Sequence, residues 1–555
     1  MCQFLSGSDA AHTAPYVSNF LSGSARVAKK QYSQEFLKKY VEKIGKMVFN
    51  LHILHNKGAF MKKYILALDQ GTTSSRAILF NKNSQIVDIE SVEFRQIYPR
   101  PGWVEHQPEE ILDSILHVIK AVVKRKNISF EEIDCIGITN QRETTVLWDK
   151  KTGKPVHNAI VWQCRRTSDR CADIYKKKYD KTIFEKTGLV VDPYFSATKI
   201  EYILNNVAGL REKAQKGEIA FGTIDSWLVF NLTGGKHRVT DYSNASRTML
   251  FNIHTLKWDE DLLDFFNIPK EILPEVVPNS CKGIVADHPV FEGTKIPIGG
   301  IVGDQQGSLF GQKCFYEGDI KNTYGTGCFL LMNIGKTAKK SKNRALTTIA
   351  WNIDGETTYA LEGAVFIAGA VVQWLRDSLQ IINDSAVTEK ISLENKKDSL
   401  VFVPAFSGLG TPYWDPEVRG AIFGITRDTD RADIIKAALD GIAYQAKDLL
   451  EALKSDFCKD IGRYRADGGA SKNRYLAQFQ ADILQENVNV VKMSETTALG
   501  AAFFAGLSTG FFPSLKYIEN IDQEIVVYKP KISPEEADQK YARWKKAVEA
   551  LRKFR

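Results

Sequence analysis

No run of about 18 consecutive apolar residues, the length that spans a bilayer, occurs in this chain, so membrane insertion is not expected. The eight cysteines include no Cys-x-x-Cys pair and no cysteine–histidine spacing suited to zinc. They read as small buried hydrophobes in a reducing compartment. The apolar core of a secretory signal is missing near the start, and Arg26 stands alone where a mitochondrial leader would carry several arginines. A cytoplasmic location is the expectation. Charge of one sign is scarce as well. Of the net +8, residues 1–60 account for +5, with eight Lys and Arg against three Asp and Glu, which leaves +3 on the remaining 495 residues. That near balance gives no reason to expect nucleic acid as a partner. Two nucleotide motifs also fail. Gly335-Lys336-Thr337 imitates the end of a P-loop, but the glycine needed five positions earlier is Leu330; Gly325-Thr326-Gly327 meets Leu330 three residues on, which breaks the dinucleotide pattern.

What is present is a globular composition, 44% hydrophobic and 25% charged, in a chain too long for one core. Residues 1–60 differ in texture, Ser/Gly-rich and then Lys-rich, with the spacing of an amphipathic helix over 33–48. At Met61 a short charged start gives way to an apolar strand, so Met61 is the expected natural start. The expected division is an atypical, dispensable extension over 1–60 and domains over 61–312 and 313–555, with a break near 312–318. Short β-rich runs alternate with helical patterns, the signature of an α/β protein. Residues 64–68 and 77–80 read as strands around a polar turn, 135–139 and 145–148 as a repeat of that arrangement, and 433–454 as a long helix.

Three loops carry the features of phosphate cradles. In Leu68-Asp69-Gln70-Gly71-Thr72-Thr73-Ser74-Ser75-Arg76 a carboxylate ends an apolar strand, and glycine and hydroxyl residues follow. Such a turn offers N–H and O–H groups to phosphate oxygens and places Asp69 for a magnesium ion and its waters. Asn322-Thr323-Tyr324-Gly325-Thr326-Gly327 and Asp467-Gly468-Gly469-Ala470-Ser471-Lys472-Asn473 are the other two. Each alone could be an ordinary turn; together they suit one nucleotide held between both halves of the chain. For an acceptor, Arg142-Glu143 sets a cation beside an anion between two apolar runs, where charges must be paired or used, unless the loop is simply a solvated hairpin tip. Asp304, after the apolar Ile301 and Val302, could take a proton from a hydroxyl, or could simply be a cap.

This combination resembles the FGGY carbohydrate kinases from Met61 to about Ala550. Residues 193–199 and 420–440 look like the two family signatures, and 102–106, 162–167 and 244–248 resemble the branch that acts on glycerol. The resemblance implies two ribonuclease-H-like domains of the actin and hexokinase ATPase type facing a central cleft. It implies ATP and Mg2+, with glycerol phosphorylated at a terminal hydroxyl. Arg142, Glu143, Tyr194, Asp304 and Gln305 would then hold the glycerol hydroxyls, Trp162 and Phe329 would wall its carbons, and Asp304 would be the general base. Thr72, Thr73, Ser74, Arg76, Thr326, Gly369, Gln373, Gly469 and Asn473 would contact the nucleotide, and Asp69 the metal. A homodimer or homotetramer is expected. The loop that binds a sugar bisphosphate in some bacterial members is reduced here to Gly293 and Lys295. The alternatives are another sugar or polyol kinase of the family, or a catalytically silent actin-like nucleotide-binding module.

Overall fold

Two mixed sheets organise the chain. The computed structural model describes residues 62–554, so the expectations for 1–60 and for Met61 lie outside the described residues. The first sheet contains β1 (Tyr64–Gln70), β2 (Ser74–Asn81), β3 (Ile86–Glu93), β4 (Ile133–Asn140), β5 (Val285–Ala286) and β6 (Ile296–Gly303), in the order β5-β6-β4-β1-β2-β3. β1, β2 and β3 form an antiparallel meander, whereas β1, β4 and β6 run parallel. Ile65 to Leu68 are fully buried, as a central strand covered on both faces requires. Helix α1 (Pro108–Arg125) starts with proline in its first turn and two glutamates, ends in Lys124 and Arg125, and buries Ile111, Ile115, Val118, Ile119 and Val122.

Helix α2 (Asp304–Gly311) follows β6 directly, and residues 312–319 lead into the second sheet. That sheet contains β7 (Ile320–Tyr324), β8 (Cys328–Gly335), β9 (Leu346–Ile353), β10 (Glu356–Val365), β11 (Tyr464–Asp467), β12 (Val488–Val491) and β13 (Ile525–Tyr528), in the order β9-β10-β8-β7-β11-β12-β13. It repeats the first sheet: β7, β8 and β10 are antiparallel, β7, β11 and β12 are parallel, and an antiparallel edge strand closes the series. The β1–β2 and β7–β8 turns, two of the loops singled out above, thus occupy equivalent positions.

Among the helices of the second half are α3 (Gly369–Asp377), α4 (Arg431–Phe457), α5 (Arg474–Leu484) and α6 (Thr496–Thr509). The long helix expected over 433–454 is α4, which extends further because Asp430 and Asp433 form a capping box at its start. α6 lies against the first sheet. Its Ala501 and Ala505 come so close that a Cβ on Gly137 or Gly300 would fall 2.4–2.6 Å from their main chain, and Gly307 of α2 meets Gly500 in the same way. Phe503, Phe504 and Phe512 share one core with Ile65, Ala67, Phe80 and Val302.

One expectation fails. Residues 146–149 do not pair beside β4 but with Ile219–Gly222. Glu143 sits at φ 59°, a left-handed conformation that turns the chain out of the sheet after Arg142, and Trp148 is buried against Trp227 and Phe230.

Candidate functional site

Parallel pairing sets the strand ends side by side: Asp69 lies opposite Thr139 on β4, and Thr139 and Asn140 lie opposite Val302 and Gly303 on β6. Asp69 and Asp304 therefore emerge from the same edge of the sheet, where ligands of α/β folds are bound. Asp304 opens α2. Its Oδ1 accepts from the Gln305 N–H (2.7 Å) and faces Arg142 Nε (3.1 Å), while Oδ2 has no hydrogen bond among the described residues. Gly303 matters to this contact, because a Cβ there would stand 2.8 Å from the Arg142 side chain. The Gly303 N–H donates to Ser243 Oγ (2.9 Å), and Ser243 donates in turn to Asp241, which also accepts from Asn279 and Asn244.

Arg142, Glu143, Arg247 and Glu362 are all buried. Arg142 grips Glu362 with both terminal nitrogens (2.7 and 2.8 Å), and Arg247 bridges Glu143 (2.7 Å) and Glu362 (3.1 Å). Burial alone would raise the Glu362 carboxyl, but Arg142 and Arg247 overcome it and hold the group at about 2. For Glu143 the balance reverses: burial outweighs Arg247 and Arg142, and its carboxyl is raised. The Glu143 carbonyl accepts from Ser196 Oγ (3.0 Å) and Lys199 Nζ (3.2 Å), and Lys199 also donates to the Tyr194 carbonyl (2.6 Å). These donors hold the chain in the left-handed turn at Glu143. Tyr194 packs edge-on to Trp162 at 5.5 Å. Lys321 of β7, wholly buried, donates to Gln305 Oε1 and to Thr323 Oγ1.

In the first loop the Gly71 N–H closes the turn onto the Ser74 carbonyl (2.9 Å), and Trp162 Nε1 donates to Thr72 Oγ1 (3.0 Å). Thr72 is thereby tied to Trp162, the neighbour of Tyr194. Arg76 pairs with Glu495 (3.2 Å) ahead of α6 and stands 3.9 Å from Asp69. Burial raises the Asp69 carboxyl to about 7; Arg76 opposes this, and Glu495 and Asp304 add to it. The Asp69 carboxylate makes no hydrogen bond among the described residues. A buried carboxylate so poorly paired suits a hard divalent cation. Among the described residues no group of three or more His, Cys, Asp or Glu is placed to hold a metal ion.

The second and third loops meet around glycine. Thr326 accepts from the Ala368 and Ala370 N–H groups (2.8 and 3.1 Å), and a Cβ on Gly369 would lie 2.6 Å from the Gly325 carbonyl, so Thr326, Gly369 and Gln373 share the start of α3. Gly468, at φ 92°, stacks on Tyr324, where a Cβ would come within 2.4 Å of the carbonyl oxygen. Gly469 faces open space, and Asn473 caps α5 (3.0 Å to the Leu476 N–H). Asp467 joins this group to α2 and α6 through Ser308 (3.3 Å) and Thr496.

The expected residues thus fall into three groups: Arg142, Glu143, Tyr194, Trp162, Asp304 and Gln305; the turn from Asp69 to Arg76; and Thr326 beside Gly369 at the start of α3, with Gln373 one turn further along that helix and Gly469 and Asn473 following Gly468, which meets Tyr324. Phe329 lies on β8 opposite Thr323 and Ala364 and makes no ring contact with Trp162 among the described residues. Sequence reasoning missed Glu362, Arg247, Lys321 and Lys199 as partners of these residues. A signal existed for one of them, since Glu362 is a charge inside the apolar stretch 359–365 of β10, and such a charge is costly unless paired.

Models of the FGGY family of carbohydrate kinases match twice, the N-terminal domain at residues 64–311 and the C-terminal domain at 320–509. The chain is 54% identical over 496 residues to a protein named glycerol kinase from Bacillus licheniformis, covering 89% of this chain and 100% of the relative. It is 55% identical over 498 residues to another of that name from Caldanaerobacter subterraneus, covering 89% and 99%. Among solved structures, the Plasmodium falciparum glycerol kinase with ADP superposes with a TM-score of 0.84 at 37% identity, covering 88% of this chain and 98% of that one.

Proposed function

The chain belongs to the FGGY family of carbohydrate kinases, and from that premise we propose that it transfers the γ-phosphoryl group of ATP to a terminal hydroxyl of glycerol, giving sn-glycerol 3-phosphate and ADP. The observation that carries this is identity above 50% to relatives named glycerol kinase over essentially their whole length. The chemistry of the Arg142 group supports it. Arg142, Glu143, Tyr194 and Gln305 bind and orient a small polyol with donors and acceptors in a buried setting, and Trp162 and Phe329 cover its carbons. Asp304 Oδ2, which has no hydrogen bond among the described residues, accepts the proton of the terminal hydroxyl as the hydroxyl oxygen bonds to the γ-phosphorus. The bond to the β–γ bridging oxygen breaks, and ADP leaves. Thr72, Thr73, Ser74, Arg76, Thr326, Gly369, Gln373, Gly469 and Asn473 cradle the nucleotide. Asp69 would hold Mg2+, which would supply neutralisation of the phosphate charge. Residues 61–312 and 313–555 act as the two domains, whose approach excludes water as a competing acceptor.

An ADP-release assay across glycerol, dihydroxyacetone, glyceraldehyde, xylulose and gluconate tests the substrate. The highest kcat/KM is expected for glycerol, and preference for a sugar would overturn the assignment. Asp304→Asn is expected to lower kcat by about 100-fold or more; near-normal turnover would remove Asp304 from its role as base.

A further inference from the structure

We infer that Glu362 and Lys321, two buried charged residues of the second sheet, are positioning residues for the acceptor site, fixing Arg142 and Gln305 so that these present the correct atoms to glycerol. This rests on the glycerol assignment above and adds to it two residues that act through others.

Glu362 lies on β10 and Lys321 on β7, whereas the groups they hold lie at the ends of β4 and β6. A planar guanidinium has two edges. Glu362 occupies the Nη1/Nη2 edge of Arg142 at 2.7 and 2.8 Å, and this two-point grip sets the plane and aims Nε at Asp304 Oδ1, 3.1 Å away. The same Glu362 Oε1 receives Arg247 at 3.1 Å, and Arg247 holds Glu143 at 2.7 Å. One carboxylate therefore orients two of the residues assigned to the glycerol hydroxyls. Lys321 settles the remaining ambiguity. An ammonium group can only donate, so its bond to Gln305 Oε1 fixes the amide with its oxygen inward and its NH2 free to donate elsewhere.

Arg142 and Arg247 face Glu143, Glu362 and Asp304, and Lys321 faces Asp467 as well as Glu362 and Asp304. Neutralising Glu362 leaves two guanidinium groups competing for Glu143 and Asp304, and Arg142 turns toward the base.

The test compares Glu362→Gln and Lys321→Met with the parent chain, measuring kcat and KM for glycerol in the ADP-release assay and ADP binding by calorimetry. Glu362→Gln is expected to lower kcat/KM for glycerol about 10- to 100-fold, through a higher KM as well as a lower kcat. Lys321→Met is expected to raise the glycerol KM several-fold. ADP affinity should stay within about twofold of the parent in both. A purely structural role would reduce active protein without moving the glycerol KM, or would weaken ADP and glycerol alike, and either result overturns the inference. Should Glu362→Gln fail to fold, Lys321→Met alone decides; failure of both to fold overturns the inference by making the pair a support of the fold. A parent chain that turns over no glycerol refutes the substrate assignment instead, so the two failures are told apart.

Discussion

Asp69 should make the folded chain less stable than it could be, and removing its charge should reveal by how much. The residue is 8% exposed, and its carboxyl ionises near pH 7 in the folded chain against 3.8 for an unperturbed aspartate, chiefly because burial disfavours the anion. Between those two values the folded chain holds a proton that the unfolded chain has released. This group's contribution to stability therefore falls as pH rises across that window and is flat above it. A gap of about three pH units corresponds to about 4 kcal/mol. Asp69→Asn keeps the shape and removes the charge. Its stability advantage over the parent, read from denaturant unfolding without metal or nucleotide, should be small near pH 4.5 and grow to about 4 kcal/mol at pH 8. The same variant should be nearly inactive, because the anion that burdens the fold is the one assigned to the metal. An advantage that stays constant from pH 5 to 8, or a variant less stable than the parent at pH 8, would refute the reasoning.

Two further substitutions separate packing from binding. Gly468→Ala combines a left-handed residue, costing about 1–2 kcal/mol, with a methyl group driven against the Tyr324 carbonyl, so both thermal stability and ADP affinity should fall. Gly469→Ala, whose added carbon meets nothing within 4 Å among the described residues beyond its chain neighbours, should leave the melting temperature unchanged while weakening ADP in calorimetry. Burial holds Lys199 at about 7 rather than 10.5, so the unfolded chain binds the extra proton between those values and this residue's contribution to stability rises with pH there. The stability of the parent relative to Lys199→Met should accordingly increase between pH 7 and 9 in denaturant titrations.

The parts legible in the sequence are those set by neighbours along the chain. The apolar run ending at Asp69, the Gly-Thr-Gly turn after Tyr324 and the Gly-Gly turn after Asp467 each combine a strand pattern with residues whose backbone freedom the turn uses, and all three loops lie where the sheets end. The expected hairpin at 135–148 failed because the exit from β4 depends on Glu143, whose left-handed conformation is held by Ser196 and Lys199, more than 50 residues away in sequence. The role of Glu362 was hidden for a related reason, although its charge in an apolar strand was plain. Its partner Arg142 lies 220 positions earlier, and nothing in the local pattern of β10 says which cation will neutralise it. The repeated sheet order was hidden as well, because topology is carried by pairing rather than by similar residues.

The placement of α6 bears on how this chain could be cut or recombined. A fragment ending before β7 would bare the apolar face made by Ile65, Ala67, Phe80 and Val302, which Phe503 and Phe504 normally cover, and would be prone to aggregate. A helix translated near the end of the chain thus completes the interior begun by its first strand. Synthesis must run nearly to completion before the earliest folded layer is sealed, and modular exchange of the two halves between relatives would have to carry this helix with the sheet it covers.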